Sequence, residues 1–375
     1  MKIRAKRAIT PSRILEDKII TIENGVIQSV SSSGLKADFT YPIIAPGYID
    51  SHTHGAIGID AMSATVEDFE KLSMFYAKHG VTTFLVTTVS DKFEKLSSVA
   101  ETVRKSMRTK LPGSKIGGLY VEGPYLNPSK KGAHKEELLK NPDLEELSRF
   151  VEKFREITKI FAIAPELKNA AVAIKFLRKN GIIPTIAHTD ATYEQTVQAI
   201  EIGATRATHV FNAMKSFSHR EPGVVGAALT EKNVYCEVIC DLVHLHPATV
   251  KLIINAKGPN KTVLVTDSMA ATGLEDGEYS LGELKVVVKG KIARLKGENN
   301  LAGSTLTLDQ AVRNVVFNLG YTEKEAIIMA TLTPARASKL NAGIIKEGKT
   351  ADLVALDEEL NVVATFVSGE RVYSA

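Results

Sequence analysis

The sequence predicts an α/β fold: a TIM-type (β/α)8 barrel with a small β-sandwich domain built from both chain termini. Three observations carry this expectation. Eight short apolar runs alternate with segments whose apolar residues recur every three or four positions, polar turn residues separate them, and both chain ends alternate apolar and polar residues as strands do.

At the N-terminus, apolar residues alternate from Lys18 to Ser29 around Asn24-Gly25, the favoured pair for a tight hairpin turn. The first barrel strand is the run ending in Ile49-Asp50-Ser51-His52. Seven more follow: Thr82 to Val89, Ile116 to Glu122, Ile160 to Ala164, Ile182 to His188, Ala207 to Phe211, Tyr235 to Asp241 and Val263 to Asp267. Among the intervening stretches, Val66 to Lys78, Leu144 to Phe154 and Ala170 to Arg178 carry the spacing of amphipathic helices. Asp352 to Leu356 and Val362 to Val367 read as strands again. Residues 1–45 plus 346–375 are therefore expected to form the small domain, and residues 46–345 the barrel. A doubly wound open sheet alternates in the same way, but no glycine-rich phosphate-binding turn follows an early strand.

A chain of 375 residues, 44% hydrophobic and 24% charged, can bury a sizeable core and has neither a disordered nor a fibrous composition. Its net charge of +4 comes from 47 basic and 43 acidic residues without a basic stripe, so no nucleic-acid partner is expected. No apolar segment has the length to span a bilayer and the start does not resemble a signal peptide. No membrane partner and a cytoplasmic location are the expectations. Cys236 and Cys240 alternate on a strand and are expected to be buried thiols rather than a disulfide.

The chemistry collects at strand ends. Of nine histidines, His52, His54, His188 and His209 stand at or just beyond the C-terminal ends of expected strands, the face on which barrel enzymes keep their active sites. Strand periodicity puts His52 and His54 on one side of the backbone, as paired metal ligands must be. Two histidines in a surface loop is the bland alternative. Glu122 and Asp267 each end an apolar strand, where a carboxylate needs a cation or hydrogen bonds. Capping of loop amides is the bland reading for Glu122. Four histidines and two carboxylates at five strand ends point instead to one metal-dependent site. Nitrogen and oxygen ligands without thiolates suit one or two divalent ions such as zinc, iron, manganese or cobalt.

The segment Pro46-Gly47-Tyr48-Ile49-Asp50-Ser51-His52-Thr53-His54 resembles the one that ends the first barrel strand of the amidohydrolases. Within that superfamily, further segments are similar to the N-acetylglucosamine-6-phosphate deacetylase family. They are Val121-Glu122-Gly123-Pro124-Tyr125-Leu126-Asn127, Lys131-Gly132-Ala133-His134, Thr208-His209-Val210-Phe211-Asn212-Ala213-Met214, Arg220-Glu221-Pro222-Gly223, Leu264-Val265-Thr266-Asp267 and Leu301-Ala302-Gly303-Ser304-Thr305-Leu306. The likeness runs from about residue 43 to the end.

This resemblance implies that Glu122, His188 and His209 hold a principal metal, that His52 and His54 support a second, and that Asp267 is the catalytic acid and base. It implies a phosphorylated amino-sugar substrate touched by Ala133, His134, Asn212, Ala213, Asp241, Leu242, Val243 and His244. Leu301, Ala302 and Gly303 would close over it. Arg220 and His244 would address the phosphate, Arg220 from the other subunit of a homodimer. A surface ion pair with Glu221 is the bland reading of Arg220. Leu242 departs from the family, where glycine is common, which leaves an N-acetylgalactosamine 6-phosphate substrate open. A cyclic-amide hydrolase is the nearest rival, but the run Ile160 to Glu166 lacks the lysine that many of those enzymes carry there. A non-enzymatic assembly protein is the rival from another class.

Overall fold

A computed structural model describes residues 1–32 and 36–375. The chain opens with β1 (Lys2–Ile9), β2 (Ile14–Glu23), β3 (Val26–Ser32) and β4 (Phe39–Pro46). Asn24 and Gly25, at φ 50° and 76°, turn β2 into β3, the left-handed pair that a tight hairpin needs.

The barrel follows as β5 (Tyr48–Thr53), a short hairpin of β6 (Gly55–Ala56) and β7 (Ile59–Asp60), α1 (Val66–Lys78), β8 (Val81–Thr88), α2 (Phe93–Met107), β9 (Lys115–Val121) and α3 (Leu144–Phe154). It continues through β10 (Thr158–Ile163), α4 (Ala170–Lys179), β11 (Ile183–Ile186), α5 (Tyr193–Glu201), β12 (Arg206–Ala207), α6 (Gly223–Thr230), β13 (Tyr235–Ile239), α7 (Pro247–Lys257) and β14 (Thr262–Val265). All eight apolar runs supply a strand of one parallel sheet, in the order β14-β13-β12-β11-β10-β9-β8-β5. The ring closes where Thr53 pairs with Ser268: the Asp267 amide donates to His52 O at 2.9 Å and the His54 amide to Ser268 O at 2.8 Å.

Several strands end sooner than expected. The run Ala207 to Phe211 is a strand only as far as Ala207, because His209 and Phe211 adopt positive φ of 26° and 77°. His188 at 42° and Asp267 at 52° leave their strands in the same way. A left-handed non-glycine residue breaks the ladder, and such conformations persist where surrounding structure enforces them, commonly at functional sites.

After β14 comes an antiparallel sheet of β15 (Gly277–Leu281), β16 (Leu284–Lys289) and β17 (Ile292–Leu295), for which the apolar pattern gave no signal. Then follow α8 (Leu308–Arg313), α9 (Glu323–Ala330), α10 (Leu332–Ala337), β18 (Leu353–Leu356), β19 (Val362–Val367) and β20 (Glu370–Ser374). The last three strands join the first four in a mixed seven-stranded sheet, β20-β19-β18-β4-β1-β2-β3, around Ile3, Ile20, Ile44, Leu353 and Phe366. Thr365 donates to Ala77 O at 2.7 Å, which ties this sheet to the last turn of α1.

Candidate active site

The barrel brings all six expected residues to one place. His52 and His54 come from β5 and the residue just after it, Glu122 from the end of β9, His188 from beyond β11, His209 from beyond β12 and Asp267 from beyond β14; all are buried. Glu122 sits between two pairs of imidazoles. Its Oε1 is 3.4 Å from His188 Nε2 and 3.2 Å from His209 Nε2. Its Oε2 is 3.5 Å from His52 Nε2 and 3.3 Å from His54 Nε2. Asp267 Oδ1 completes the second pair, 3.0 Å from His54 Nε2 and 3.5 Å from His52 Nε2.

Hydrogen bonds at the far side of three of these four rings decide which nitrogen is free. His54 Nδ1 donates to Thr87 O at 3.2 Å and His188 Nδ1 to Lys130 O at 2.9 Å; a carbonyl can only accept, so Nδ1 carries the proton and a neutral ring offers its Nε2 lone pair. His52 Nδ1 donates to the Glu237 carboxylate at 2.8 Å with the same result. His134 is the reverse case. The Ser90 amide donates to its Nδ1 at 3.1 Å, so the proton of the neutral ring sits on Nε2. Glu122, His134 and His188 do stand close enough to share an ion, with ligand atoms within 4.8 Å of one another. In that tautomer His134 Nε2 carries a proton and presents a donor, where a metal ligand needs a lone pair. Burial and the neighbouring His188 push its pKa down to about 3, which keeps the ring neutral.

Electrostatics indicates which charge the site favours. Burial alone would raise the pKa of both carboxylates, yet His52 and its neighbours hold Glu122 well below the usual range and Asp267 at about 2. Conversely, burial disfavours charge on the imidazoles, but the carboxylates hold His52 well above its ordinary value and His54 at about 9. Two buried carboxylates thus demand positive charge, from protons or from a cation. His209 Nδ1 is buried without a hydrogen-bond partner among the described residues. A carboxylate facing two pairs of imidazoles, with three of the four rings tautomerised to present Nε2, fits a divalent ion in chemistry and in form.

The cluster floors a cavity of about 440 Å³, lined also by Ala133, His134, Asn212, Ala213, His244, Leu301 and Gly303, as the resemblance implied. Gly132 at φ 54° passes so close to His188 that a Cβ there would meet its ring at 2.9 Å, which accounts for the glycine between Lys131 and Ala133. Four of the expected substrate-contact residues, Asp241, Leu242, Val243 and Ala302, do not line this cavity. Asp241, Leu242 and Val243 line a neighbouring cleft of about 890 Å³ instead of this cavity. Asp241 acts through His244, accepting from its Nδ1 at 2.7 Å and from its amide at 2.9 Å. Leu242 holds φ 64°, a conformation natural for glycine, so the departure from the family is a matter of backbone and lies outside the cavity lining. Ala302 is fully buried and Arg220 is exposed; neither lines the cavity. Glu221 lies 4.0 Å from Lys215, so the ion pair that was the bland alternative for Arg220 is made by that lysine.

Sequence reasoning missed four residues. Lys130 and Lys131 line the cavity, and Lys130 also pairs with Asp190 at 3.2 Å. Glu237 and Arg206 are fully buried at barrel strands beneath the histidines, paired at 2.5 Å. A glutamate inside the apolar run Tyr235-Cys236-Glu237-Val238-Ile239 was the available signal, since a central strand rarely buries a charge without a partner. Both cysteines are buried and free, and His246 caps α7 by accepting from the Ala248 amide.

Comparison with known proteins agrees with this geometry. The amidohydrolase family profile matches residues 43–372. The chain is 36% identical over 371 residues to an N-acetylgalactosamine-6-phosphate deacetylase of Escherichia coli O157:H7, covering 98% of each protein. It is 36% identical over 381 residues to an N-acetylglucosamine-6-phosphate deacetylase of Vibrio furnissii, covering 99% of this chain and 95% of the relative. Its structure is similar to that of an N-acetyl-D-glucosamine-6-phosphate deacetylase mutant from Mycobacterium smegmatis in complex with N-acetyl-D-glucosamine-6-phosphate, with TM-score 0.96 and 34% identity over 100% and 99% of the two chains. The chain belongs to the amidohydrolase family, and within it to the N-acetylglucosamine-6-phosphate deacetylase group.

Proposed function

We propose that the chain hydrolyses the acetamide of N-acetylglucosamine 6-phosphate to glucosamine 6-phosphate and acetate. The observation that carries this reading is the Glu122 carboxylate between two pairs of imidazoles, with Asp267 beside one pair, at the floor of a cavity with a phosphate-compatible rim. Glu122, His188 and His209 would hold the principal ion, and His52 and His54, with Glu122 facing both pairs, would serve a second. A divalent ion in such a site lowers the pKa of water and polarises an amide carbonyl. Nitrogen and oxygen donors of this kind accept zinc, iron, manganese or cobalt.

The chain's own groups account for the remaining steps. His134 donates from Nε2 toward the acetamide oxygen, stabilising the charge that develops there as water adds. Asp267 accepts the water's proton on its carboxylate and returns it to the amine nitrogen, without which the carbon–nitrogen bond does not break. His244, oriented by Asp241, and the lysines at the rim address the phosphate. Arg220 is exposed, makes no ion pair with the described residues, and stays outside its own cavity; we assign it to the cavity of a partner subunit in a homodimer. No helix is long and apolar enough to cross a membrane. A cytoplasmic location is proposed from the substrate, because a charged sugar phosphate does not pass a bilayer.

The test is acetate release by metal-stripped protein reconstituted with each ion in turn, with N-acetylglucosamine 6-phosphate, N-acetylgalactosamine 6-phosphate and unphosphorylated N-acetylglucosamine side by side. Metal-dependent release favouring the glucosamine ester supports the proposal. Preference for the galactosamine ester, the substrate named for the Escherichia coli relative, would reassign the sugar, and inactivity on all three would overturn the reading.

A further inference from the structure

Beneath the histidines lies a second polar layer to which the proposed reaction assigns nothing. Glu237 on β13 and Arg206 on β12 are both fully buried. The guanidinium donates from Nε to Glu237 Oε1 at 2.5 Å, from one terminal nitrogen to Ser51 Oγ at 2.5 Å and from the other to Ser338 Oγ at 3.1 Å. Glu237 Oε2, turned the other way, accepts the His52 Nδ1 proton at 2.8 Å and the His209 amide at 3.3 Å. One carboxylate thus connects the ring of an imidazole in one pair to the backbone of an imidazole in the other.

We infer that Glu237, held by Arg206, is a positioning residue that fixes the His52 ring so that its Nε2 can ligate a second divalent cation together with His54, Glu122 and Asp267. The inference rests on the metal-dependent reading above and deepens it. Three features support it. An anionic acceptor on Nδ1 sets the tautomer, locks the ring plane and raises the donor strength of the opposite nitrogen. The arginine cancels the charge of Glu237, so the acceptor adds no net negative charge to a layer that already contains Glu122 and Asp267. Finally, a buried ion pair gives little net stability compared with apolar residues of the same volume, so its presence under one ring is better explained by what it does to that ring. His54 and His188 rely on backbone carbonyls for the same purpose; His52 alone among the three is oriented by a side chain, and can therefore be altered by substitution.

The experiment is a metal titration without substrate. Metal-stripped wild-type protein and two variants, Glu237→Gln and the double replacement Arg206→Met with Glu237→Met, are titrated with zinc and their bound metal is counted. Cobalt absorption then reports the ligand field. The double variant removes both charges together and so avoids stranding a buried arginine, and near-ultraviolet circular dichroism checks that each protein is folded. Wild type should bind two ions. In the double variant the second ion should bind about 10–100-fold more weakly with a changed cobalt spectrum, while the first stays closer to its wild-type affinity. Glu237→Gln should shift the same way by less, since an amide oxygen still accepts, and it decides the matter if the double variant does not fold. Two ions bound at unchanged affinity by a folded variant, or a single ion in wild type, would overturn the inference. A chain that binds two ions with the expected dependence on Glu237 yet releases no acetate would instead overturn the proposed reaction and leave this inference standing.

Discussion

Asp267 is surrounded by groups that favour its ionised form, with His54 Nε2 at 3.0 Å, so it rests as a carboxylate ready to receive a proton. Asp267→Asn keeps the shape, removes the proton relay and leaves a neutral amide oxygen in place of the carboxylate beside His52 and His54. Turnover should fall by about 10²–10⁴-fold while substrate binding stays near wild type, measured by acetate release and by calorimetric titration of the substrate. A variant with near-normal turnover would remove Asp267 from the mechanism. Arg220 calls for a different signature. Arg220→Ala should raise KM for the phosphorylated sugar by roughly tenfold or more, as expected for loss of a charge-assisted contact, and leave the weak reaction with unphosphorylated sugar unchanged. Equal losses on both sugars would show that the arginine does not serve the phosphate. At this scale the six residues of the buried cluster were legible because each stands at or just past the end of an apolar run, where an ionisable side chain is out of place. Asp241 was legible only as part of a segment: the sequence could not say that its carboxylate turns back on His244.

At the scale of elements, α8 is clamped to α1 through a buried carboxylate. His79, just past α1, donates to Asp309 at 3.1 Å, and Arg313 on α8 donates to it at 3.0 Å. Burial pushes the Asp309 carboxyl up, but the hydrogen bond and charge of His79, with smaller help from Thr307 and Arg313, bring it down to about 2. A carboxyl depressed in the folded state stabilises it above its ordinary value of 3.8, and that contribution is lost as pH falls from about 4 toward 2. The gap corresponds to on the order of 2 kcal/mol. Asp309→Asn should therefore lower the stability measured by urea unfolding at pH 7, and its difference from wild type should shrink as pH drops below 4. A difference that stays constant from pH 7 to pH 3 would contradict this account of the clamp. Nothing in the sequence around His79 marks it for this contact, because its partner lies 230 residues away. The helices themselves were easier to read: Leu144 to Phe154 starts and stops as its apolar spacing indicated, with Asp143 capping its first amides.

For the whole molecule, the site concentrates buried negative charge that an ion relieves, so metal removal is a stability experiment as well as an activity one. A chelator should lower the melting temperature of the protein, and readdition of the ion should restore it, because an ion bound only by the folded chain stabilises it in proportion to the logarithm of its concentration. The shift should grow with ion concentration; a melting temperature indifferent to the ion would mean that these carboxylates and imidazoles do not hold one. The same ring of strands that concentrates the charge also isolates it, since His52 and Glu237 have no exposure to solvent at all.

By itself the sequence determined the alternation of strand and helix, the pairing of the two chain ends in one sheet, and the six ionisable residues at strand ends. These follow from local periodicity and from the cost of burying charge, both written in neighbouring residues. Only the tertiary structure decided what depends on distant parts of the chain. It ended strands early at left-handed histidines, added the sheet of β15 to β17, moved Asp241, Leu242 and Val243 to a second cleft, and set Arg206 and Glu237 under His52. Tautomers belong to the same class: whether an imidazole offers Nε2 to an ion or a proton to a substrate is settled by the atom that meets Nδ1, and for His52 and His134 that atom lies 185 and 44 residues away.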